Sequence, residues 1–427
     1  MTCGVRMPIQ RIHAENFKSF SHLDIELSRF NVVIGSNAAG KSNFISIFKF
    51  LRDIAKDGIV NAIAMQGGSE YLQNIRIGPS QDLLIKVAYQ PDEKVVVLEH
   101  QSRETSLFGI ESCESSYEFA IRFDRRGDGF TITRDRIITG CEVISCEREN
   151  NHVIKKQKLG RGEIRVANEG GKLTYMVDLP DGCPVTEQEI IPIYFQKKHL
   201  PAKTLLLETP YWYPVANGEN FFDRIDVYDI DPKFLKKGMA ITGKRELEED
   251  ASNLALVLKN IIGDPEKKRK FSNLLRDVLP FVEDFSVEKF LDISLVVTIS
   301  ERYAKNHSIP SPSLSDGTMM IFALIIVLYF EDKPFIIIEE PVSHIHPFLI
   351  SRIITMMKES SKRKQVMVTT HSTEVVKHAS VQDLLLISRD PAGFSVATRP
   401  ADKEEVRTFL ENEIGIDELY IQNLLGL

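Results

Sequence analysis

The stretch GSNAAGKS, Gly35–Ser42, limits the possible folds of this chain more than any other segment. An apolar run precedes it. In the segment that follows it, apolar residues recur with the spacing of one helix face, at Phe44, Ile47, Phe48 and Leu51. Glycines allow the backbone to curl so that successive N–H groups point inward, and the N-terminus of a helix adds its positive dipole end. The pattern predicts a strand, a phosphate-binding loop and a helix.

A nucleoside triphosphate would use the residues of this loop in distinct ways. The Lys41 ammonium should reach the β and γ phosphates, and the Ser42 hydroxyl should bind Mg²⁺. The remaining contacts are expected from the loop itself, which comprises Gly35, Ser36, Asn37, Ala38, Ala39, Gly40, Lys41, Ser42 and Asn43. The alternative is a chance match in an ordinary strand–helix turn. The filled positions and the flanking elements disfavour it.

A second motif, PFIIIEEP, places two carboxylates after an apolar strand. Ligands bind at the carboxyl ends of strands in parallel α/β sheets. Glu339 is predicted to hold the Mg²⁺ shell through water, and Glu340 to orient and polarise the attacking water. The alternative is that the two residues are simply exposed acids at the end of a strand. The neighbouring phosphate loop disfavours this alternative.

Histidines follow both of the later strands. His371 ends the strand VMVTTHS, and its imidazole is expected to donate to the γ phosphate. A satisfied structural histidine is the alternative interpretation. His344 and His346 have the spacing of two metal ligands on one strand face, but no third ligand is evident, so a metal site there is disfavoured.

A third motif, SLSDGT, precedes a strongly apolar helix. A serine and a glycine at a helix N-terminus, here Ser315 and Gly317, make a second anion site. The alternative is a plain N-cap, since Ser and Asp favour that position. One loop already binds the phosphates, so a second anion site requires another ligand.

Strand and helix signals predict an α/β fold in four segments. Residues 1–80 begin the domain that carries the phosphate loop, and residues 81–206 form an inserted antiparallel β-rich lobe. Residues 207–290 form a helical and linking segment. Residues 291–427 return to the strand–helix alternation of a parallel or mixed sheet.

Composition excludes several classes of protein. The 427 residues are 43% hydrophobic and 26% charged, as in ordinary globular proteins, and the net charge of −7 gives no overall electrostatic footprint for nucleic acid. Five cysteines form no CxxC pair, which fits a reducing cytosol. The longest apolar run, Met319–Phe330, is shorter than the ~20 residues that span a bilayer, and is predicted to be a buried helix. We expect a cytoplasmic protein without a membrane partner.

In this order, the motifs resemble the ABC-type ATPase heads of the SMC, RecF and OLD group. The resemblance covers about residues 1–80 and 230–400. IHAENFKSF (Ile12–Phe20) looks like the opening strand of those heads, which implies that Lys18 and Ser19 lie near the nucleotide. GSNAAGKS resembles the Walker A loop, LSDGT (Leu314–Thr318) the ABC signature, IIIEEP the Walker B strand, VSHIHP the D-loop and TTHS the switch-histidine segment. The implied fold is a P-loop NTPase of the ABC-ATPase head type.

The pattern is closer still to the stand-alone predicted ATPases of bacteria and prophages, which also read Glu-Glu where most ABC heads have Asp-Glu. Glu339 fits that subfamily, whereas Val342 and Ser343 depart from it in the D-loop. Gln66 and Gln196 are two candidates for the Q-loop glutamine. OLD nucleases carry a C-terminal toprim domain, for which the segment after His371 is too short, so a nuclease would be a separate partner.

The resemblance implies a composite site. In such heads the signature serine of one subunit caps the γ phosphate held by another, so Ser315 and Gly317 would contact the nucleotide of a partner copy. The expected function is an ATP-hydrolysing switch with ATP and Mg²⁺ as cofactors. It would form an ATP-dependent homodimer or higher homo-oligomer. Relatives of this kind imply anti-phage defence or DNA-related work, with a nuclease or toxin effector and a nucleic acid as partners.

Two other classes of function compete with this interpretation. The first is a scaffold that binds ATP to assemble a complex without hydrolysing it, which Glu340 and His371 disfavour. The second is the ATPase subunit of a transporter. The ENFKSF opening and the inserted β lobe disfavour that reading.

Overall fold

A computed structural model describes residues 9–426 apart from 91–94, 102–104, 126–128, 150–151, 182, 184, 192–198, 210–219, 241–242, 291–293, 305–306 and 413. The chain forms two compact units. Unit 1 comprises Met1–Ser28, Ser42–Ile225 and Ser388–Ala397, and unit 2 comprises Arg29–Lys41, Asp226–Ile387 and Thr398–Leu427. Both units are therefore discontinuous in sequence.

Unit 1 is built on an antiparallel sheet with the strand order β2-β1-β4-β6-β7-β8-β9 and with β5 paired to β6. Its strands are β1 (Ile9–Phe17), β2 (Phe20–Glu26), β4 (Leu83–Tyr89), β5 (Val95–Gln101), β6 (Thr105–Phe123), β7 (Phe130–Glu149), β8 (His152–Glu169) and β9 (Lys172–Asp178). Its helical elements are α1 (Lys41–Asp57, whose first residue belongs to unit 2), α2 (Ile59–Met65), α3 (Ser69–Leu72) and α4 (Glu187–Ile190).

The antiparallel lobe that the sequence predicts is present, and its sheet is larger than predicted. The opening hairpin β1–β2 continues the lobe sheet, because β1 pairs with β4. Within the lobe, β6, β7 and β8 are long strands of 19, 20 and 18 residues. Register shifts within the β6–β7 and β7–β8 pairs mark bulges, which let long strands bend and stay paired.

Unit 2 contains a sheet with the strand order β10-β15-β16-β3-β17-β18. The pairs β15–β16, β16–β3 and β3–β17 are parallel, as the strand–helix alternation predicts. These strands are β10 (Ile225–Asp229), β15 (Phe335–Glu339), β16 (Gln365–Thr369), β3 (Phe30–Ile34), β17 (Leu384–Arg389) and β18 (Ser395–Thr398). The first residue of β10, the last two residues of β17 and all of β18 except Thr398 belong to unit 1. The predicted α/β fold class is confirmed.

A second, antiparallel sheet of unit 2 has the order β11-β13-β12, with β14 paired to β13. Its strands are β11 (Met239–Ala240), β12 (Val282–Phe290), β13 (Ser294–Glu301) and β14 (Ser308–Pro310). The helices of the unit are α5 (Pro232–Leu235), α6 (Leu254–Ile262), α7 (Pro265–Val278), α8 (Asp316–Tyr329), α9 (Pro347–Ser361), α10 (Thr373–His378), α11 (Glu404–Glu411) and α12 (Ile416–Ile421).

Helix α8 is the buried helix that the apolar run predicts. Every residue from Thr318 to Leu328 is buried, so the helix is apolar on all sides and lies inside the core of unit 2. The core also takes in Leu419 and Leu425 near the C-terminus, which are at most 1% exposed. Among the described residues, no helix combines the length and apolar character needed to cross a bilayer.

Candidate functional site

The phosphate loop connects β3 to α1, which starts at Lys41. Its backbone has positive φ angles at Gly35 (151°), Ala38 (60°) and Gly40 (117°). A Cβ atom on Gly35 would lie 2.2 Å from the carbonyl oxygen of Ile387, so only glycine fits there. Ser36, Asn37 and Ala38 are exposed, whereas Ala39 and Gly40 are buried. The tip of the loop is therefore exposed to solvent, whereas the two residues that precede α1 are buried.

Lys41 lies at the base of this loop and is 8% exposed. Its Nζ donates hydrogen bonds to the carbonyl oxygens of Gly35 (2.9 Å) and Ser36 (3.2 Å), and lies 3.4 Å from Nδ1 of His371. Burial lowers the pKa of the Lys41 ammonium, and the charge of Glu340 acts in the opposite direction. A partly desolvated cation interacts more strongly with an anion than an exposed one does.

Glu340 lies immediately after β15 with a positive φ of 44°. Its backbone N–H donates to the carbonyl oxygen of Thr369 at 3.1 Å. Its carboxylate reaches His371 at two points. Oε1 is 3.6 Å from the imidazole Nε2, and Oε2 accepts a hydrogen bond from the His371 backbone N–H at 3.4 Å. Lys41, His371 and Glu340 therefore form one contiguous cluster in unit 2.

The parallel register explains why residues far apart in sequence meet. Glu339 is opposite Thr369 on β16, and Thr369 is opposite Val33 on β3. The carboxyl ends of the three strands consequently lie at one edge of the sheet, where the phosphate loop also begins. Glu339 is half-buried at the end of β15, next to Glu340.

Ser315 is the N-cap of α8. Its exposed hydroxyl accepts a hydrogen bond from the Thr318 backbone N–H at 3.1 Å. Gly317, in the first turn, packs closely on the loop after β15, because a Cβ on it would lie 2.6 Å from the carbonyl oxygen of His344. Ser315 is therefore an N-cap, the role that the sequence analysis gave as the alternative to an anion site. The serine also remains accessible to solvent.

The two histidines of the loop after β15 have separate environments. His344 Nδ1 lies 3.8 Å from a carboxylate oxygen of Asp316, and His346 caps α9 by accepting from the Phe348 N–H at 3.3 Å. Within the described ranges, neither belongs to a group of three clustered metal-ligand side chains.

Within unit 1, a cavity of about 610 Å³ is lined by Lys18, Ser19, Asn43, Gln66, Gln73 and Arg76, among others. Burial lowers the pKa of the Lys18 ammonium, and the charge of Lys49 lowers it further. Asn43 Nδ2 donates to the Ser19 hydroxyl at 2.8 Å, and the Ser395 hydroxyl donates to the same oxygen at 2.8 Å. The turn between β1 and β2 is therefore fixed against α1.

The remaining predicted residues fall in different places. Ser42, the second residue of α1, is exposed. Of the two Q-loop candidates, Gln66 lines the cavity of unit 1, whereas Gln196 lies outside the described residues. Gln73 was not singled out from the sequence. It lines the same cavity, is 7% exposed, and its Oε1 has no hydrogen-bond partner among the described residues.

The sequence analysis also missed Tyr420 on α12. Burial raises the pKa of its phenol, a hydrogen bond with the backbone of Gly35 lowers it, and the nearby charge of Glu340 raises it. The C-terminal helix therefore brings a hydroxyl to the start of the phosphate loop. No motif marks this residue, since the contact joins positions almost 400 residues apart in the chain.

Two family models match two separate segments of the chain. Residues 7–168 match the AAA ATPase domain. Residues 195–377 match a model described as an AAA domain, putative AbiEii toxin, Type IV TA system. Both models describe AAA domains, and each matches less than half of the chain. The second match contains Ser315, Glu340 and His371, and the first contains the phosphate loop.

The solved structures similar to this chain include SMC head domains. A SmcHead bound to the C-winged helix domain of ScpA has a TM-score of 0.46 and 16% identity, over 92% of this chain and 97% of that chain. The SMC head domain from Thermotoga maritima has a TM-score of 0.39 and 15% identity, over 92% and 99%. An Smc head domain with an extended coiled coil, bound to the C-terminal domain of ScpA derived from Pyrococcus furiosus, has a TM-score of 0.45 and 16% identity, over 95% and 99%. No curated protein matches the sequence.

Proposed function

We propose that this chain is an AAA-type ATPase that binds and hydrolyses ATP, and that the nucleotide controls the association of two copies of the chain. The observation that supports the proposal best is the cluster of Lys41, His371 and Glu340 at the carboxyl edge of the parallel sheet. It combines a phosphate-binding cation with a carboxylate and an imidazole. Phosphoryl transfer to water depends mainly on such positioning and charge neutralisation.

Mg²⁺ would accompany the nucleotide, with Ser42 and Glu339 as the candidate residues to hold it. The exposed Ser42 hydroxyl and the Glu339 carboxylate are oxygen ligands, which Mg²⁺ prefers, and Mg²⁺ keeps several waters in such sites. The ion would neutralise charge on the β and γ phosphates. Lys41 would bind those phosphates, and Glu340 would accept hydrogen bonds from the attacking water and polarise it.

His371 has a positioning role in this scheme. Its backbone N–H and its imidazole both contact the Glu340 carboxylate, and its other ring nitrogen faces Lys41. The imidazole can therefore hold the carboxylate in place. Because both ring nitrogens are engaged in this arrangement, donation to the γ phosphate would require one of them to exchange its present partner for the nucleotide. The resemblance to ABC-type ATPase heads makes Lys18 and Asn43 further candidate nucleotide contacts.

The switch and effector parts of the proposal rest on the accessible Ser315 and on the family description. An exposed serine at the N-terminus of α8 is available to a phosphate held by a second copy of the chain. The description of the second family model names a putative AbiEii toxin and a Type IV toxin–antitoxin system. We therefore propose a cytoplasmic homodimer that regulates a toxin or nuclease effector in defence against phage.

The first test is nucleotide binding by the Lys41→Ala variant. Lys41 contacts two loop carbonyls and His371, and none of these contacts belongs to the apolar core, so the fold should survive. Affinity for Mg²⁺-ATP should fall by more than about tenfold, because a charge-assisted contact is worth ~1.5–3 kcal/mol. Lys56→Ala, in the last turn of the same helix, is the matched control and should bind as the wild type does. Unchanged affinity in folded Lys41→Ala would refute the assignment.

Steady-state release of phosphate from Mg²⁺-ATP then separates hydrolysis from ATP-dependent scaffolding. We expect turnover by the wild-type chain and none by Lys41→Ala. Tight ATP binding without phosphate release by the wild type would instead support the scaffold.

A further inference from the structure

On the outer face of the β1–β2 hairpin, three side chains that could bind a metal ion lie close together. His13 and Glu15 lie two residues apart on β1, so they share a face, and His22 is the cross-strand partner of Glu15 on β2. His13 Nε2 is 3.1 Å from Glu15 Oε1, and His22 Nδ1 is 3.9 Å from the same oxygen. All three ligand atoms lie within 4.8 Å of one another.

We propose that His13, Glu15 and His22 bind a divalent transition-metal ion, with Zn²⁺ as the preferred ion. Two imidazoles and one carboxylate form a common three-residue zinc donor set, and water fills the fourth position. The ligand atoms need to move little, because metal–ligand bonds of about 2.0–2.2 Å place the donors of a tetrahedral site roughly 3.3–3.6 Å apart. Mg²⁺ is a poor competitor, since it prefers oxygen ligands.

The neighbouring charges limit the site to three protein ligands. Asp24, opposite His13 on β2, would be a fourth donor, but both of its oxygens accept hydrogen bonds from the Arg11 guanidinium at 2.7 Å. Lys86 on β4 is the other neighbour of His13 across the sheet. A cation therefore has to bind against partial repulsion, which favours a metal with strong nitrogen affinity over one held only by charge.

The position of the group gives the ion a structural role. β2 is the edge strand of the lobe sheet, and the Glu15–His22 pair lies next to the turn that holds Lys18 and Ser19. An ion bridging β1 and β2 would clamp this edge strand in register. It would also stabilise the turn that Asn43 and Ser395 contact.

The test is a calorimetric titration of the full-length, chelator-treated chain with Zn²⁺. We expect one ion per chain, and an affinity that falls by more than about tenfold in His22→Ala and in Glu15→Gln, since even loss of an outer-shell partner costs 10–100-fold. His378→Ala is the matched control. His378 lies 3.9 Å from Glu374, an exposed His–Glu pair that belongs to no three-ligand group in the described ranges. It should leave the affinity unchanged.

Two further readouts locate the ion. Zn²⁺ should raise the thermal midpoint of the wild type and of His378→Ala but not that of His22→Ala. Co²⁺ should give visible bands without a thiolate charge-transfer band, because no cysteine belongs to the group. Absence of Zn²⁺ binding, equal binding by His22→Ala, or a thiolate band with Co²⁺ would each overturn the proposal.

Discussion

Tyr420 shows how a single residue joins the C-terminal helix to the phosphate loop. Its phenol lies close enough to the backbone of Gly35 and to Glu340 for both to influence its pKa. The neighbouring Leu419 is fully buried in the core of unit 2, which anchors α12. Tyr420 therefore helps to fix the conformation of the loop.

Replacement of Tyr420 by Phe should weaken nucleotide binding modestly. The variant loses the polar contact of the hydroxyl with the Gly35 backbone, and a polar contact of this kind is worth ~0.5–1.5 kcal/mol. The loop should then be less well ordered before the nucleotide binds. We expect the Kd for ATP to rise about 2–10-fold by fluorescence titration with a labelled nucleotide. Tyr329→Phe, which removes a hydroxyl bonded to Met356 and Glu359, should leave the Kd as it is. An unchanged Kd in Tyr420→Phe would show that the contact does not order the loop.

The residues of the candidate site differ in how far the sequence predicts them. Lys41, Glu340 and His371 were predicted because each ends or follows a strand with a local apolar pattern. Tyr420, Gln73 and the contact of Ser395 with Ser19 were not predicted, because they arise when distant segments pack together. Local sequence patterns determine the position of a side chain on its helix or strand. Its contacts with residues of distant segments depend on the tertiary fold.

Strand β7 carries a buried acid, Asp135, whose ionisation should make the free energy of unfolding depend on pH. Asp135 is 2% exposed, and it accepts hydrogen bonds from the Tyr117 hydroxyl at 2.8 Å and from the Leu206 N–H at 2.8 Å. Asn168 Nδ2 donates to the same carboxylate at 2.9 Å. Burial raises the pKa of the Asp135 carboxyl from 3.8 to about 7, although these hydrogen bonds oppose the rise.

Asp135→Asn should therefore remove a pH-dependent part of the free energy of unfolding. The pKa of Asp135 in the folded state lies above the ordinary value of 3.8, so between pH 3.8 and about pH 7 the folded protein keeps a proton that the unfolded chain releases. The corresponding stability is complete below pH 3.8 and is lost as the pH rises through about 7. Urea unfolding across this range should show a steeper decline in the wild type than in the variant. Parallel curves would contradict this account.

The elements themselves were predicted unevenly. The apolar helix α8 and the parallel strands β3, β15 and β16 follow from continuous apolar runs, which buried elements require. The lengths of β6, β7 and β8 were not predicted, since bulges continue a strand where alternation in the sequence breaks. The pairing of β1 with β4 depends on contacts about 70 residues apart, and no local pattern encodes it.

For the whole molecule, the composite-site proposal has a complementation test. Ser315→Arg should still bind ATP, because Lys41 and its loop are unchanged, but should not hydrolyse it, because a bulky cation would block closure of the dimer. Lys41→Ala should be inactive for lack of binding. In a mixed dimer both lesions can fall in one site, which leaves the other site with wild-type residues.

Phosphate release should accordingly return when the two inactive proteins are mixed, and light scattering should show ATP-dependent dimers in the mixture. A matched control mixes Lys41→Ala with itself at twice the concentration, which should stay inactive. ATP-dependent dimers of Ser315→Arg alone would show instead that the serine serves only as the cap of α8.

Glu340→Gln tests most directly the claim that this edge of the sheet hydrolyses ATP. The amide keeps the shape of the side chain but cannot act as the base that polarises water, so ATP should bind with wild-type affinity while phosphate release falls by about 10²–10⁴-fold. The measurement is single-turnover hydrolysis of bound ATP, with the Kd determined on the same sample. A large loss of rate with an unchanged Kd is the expected result. Hydrolysis at the wild-type rate would contradict the account and assign the chemistry to another group.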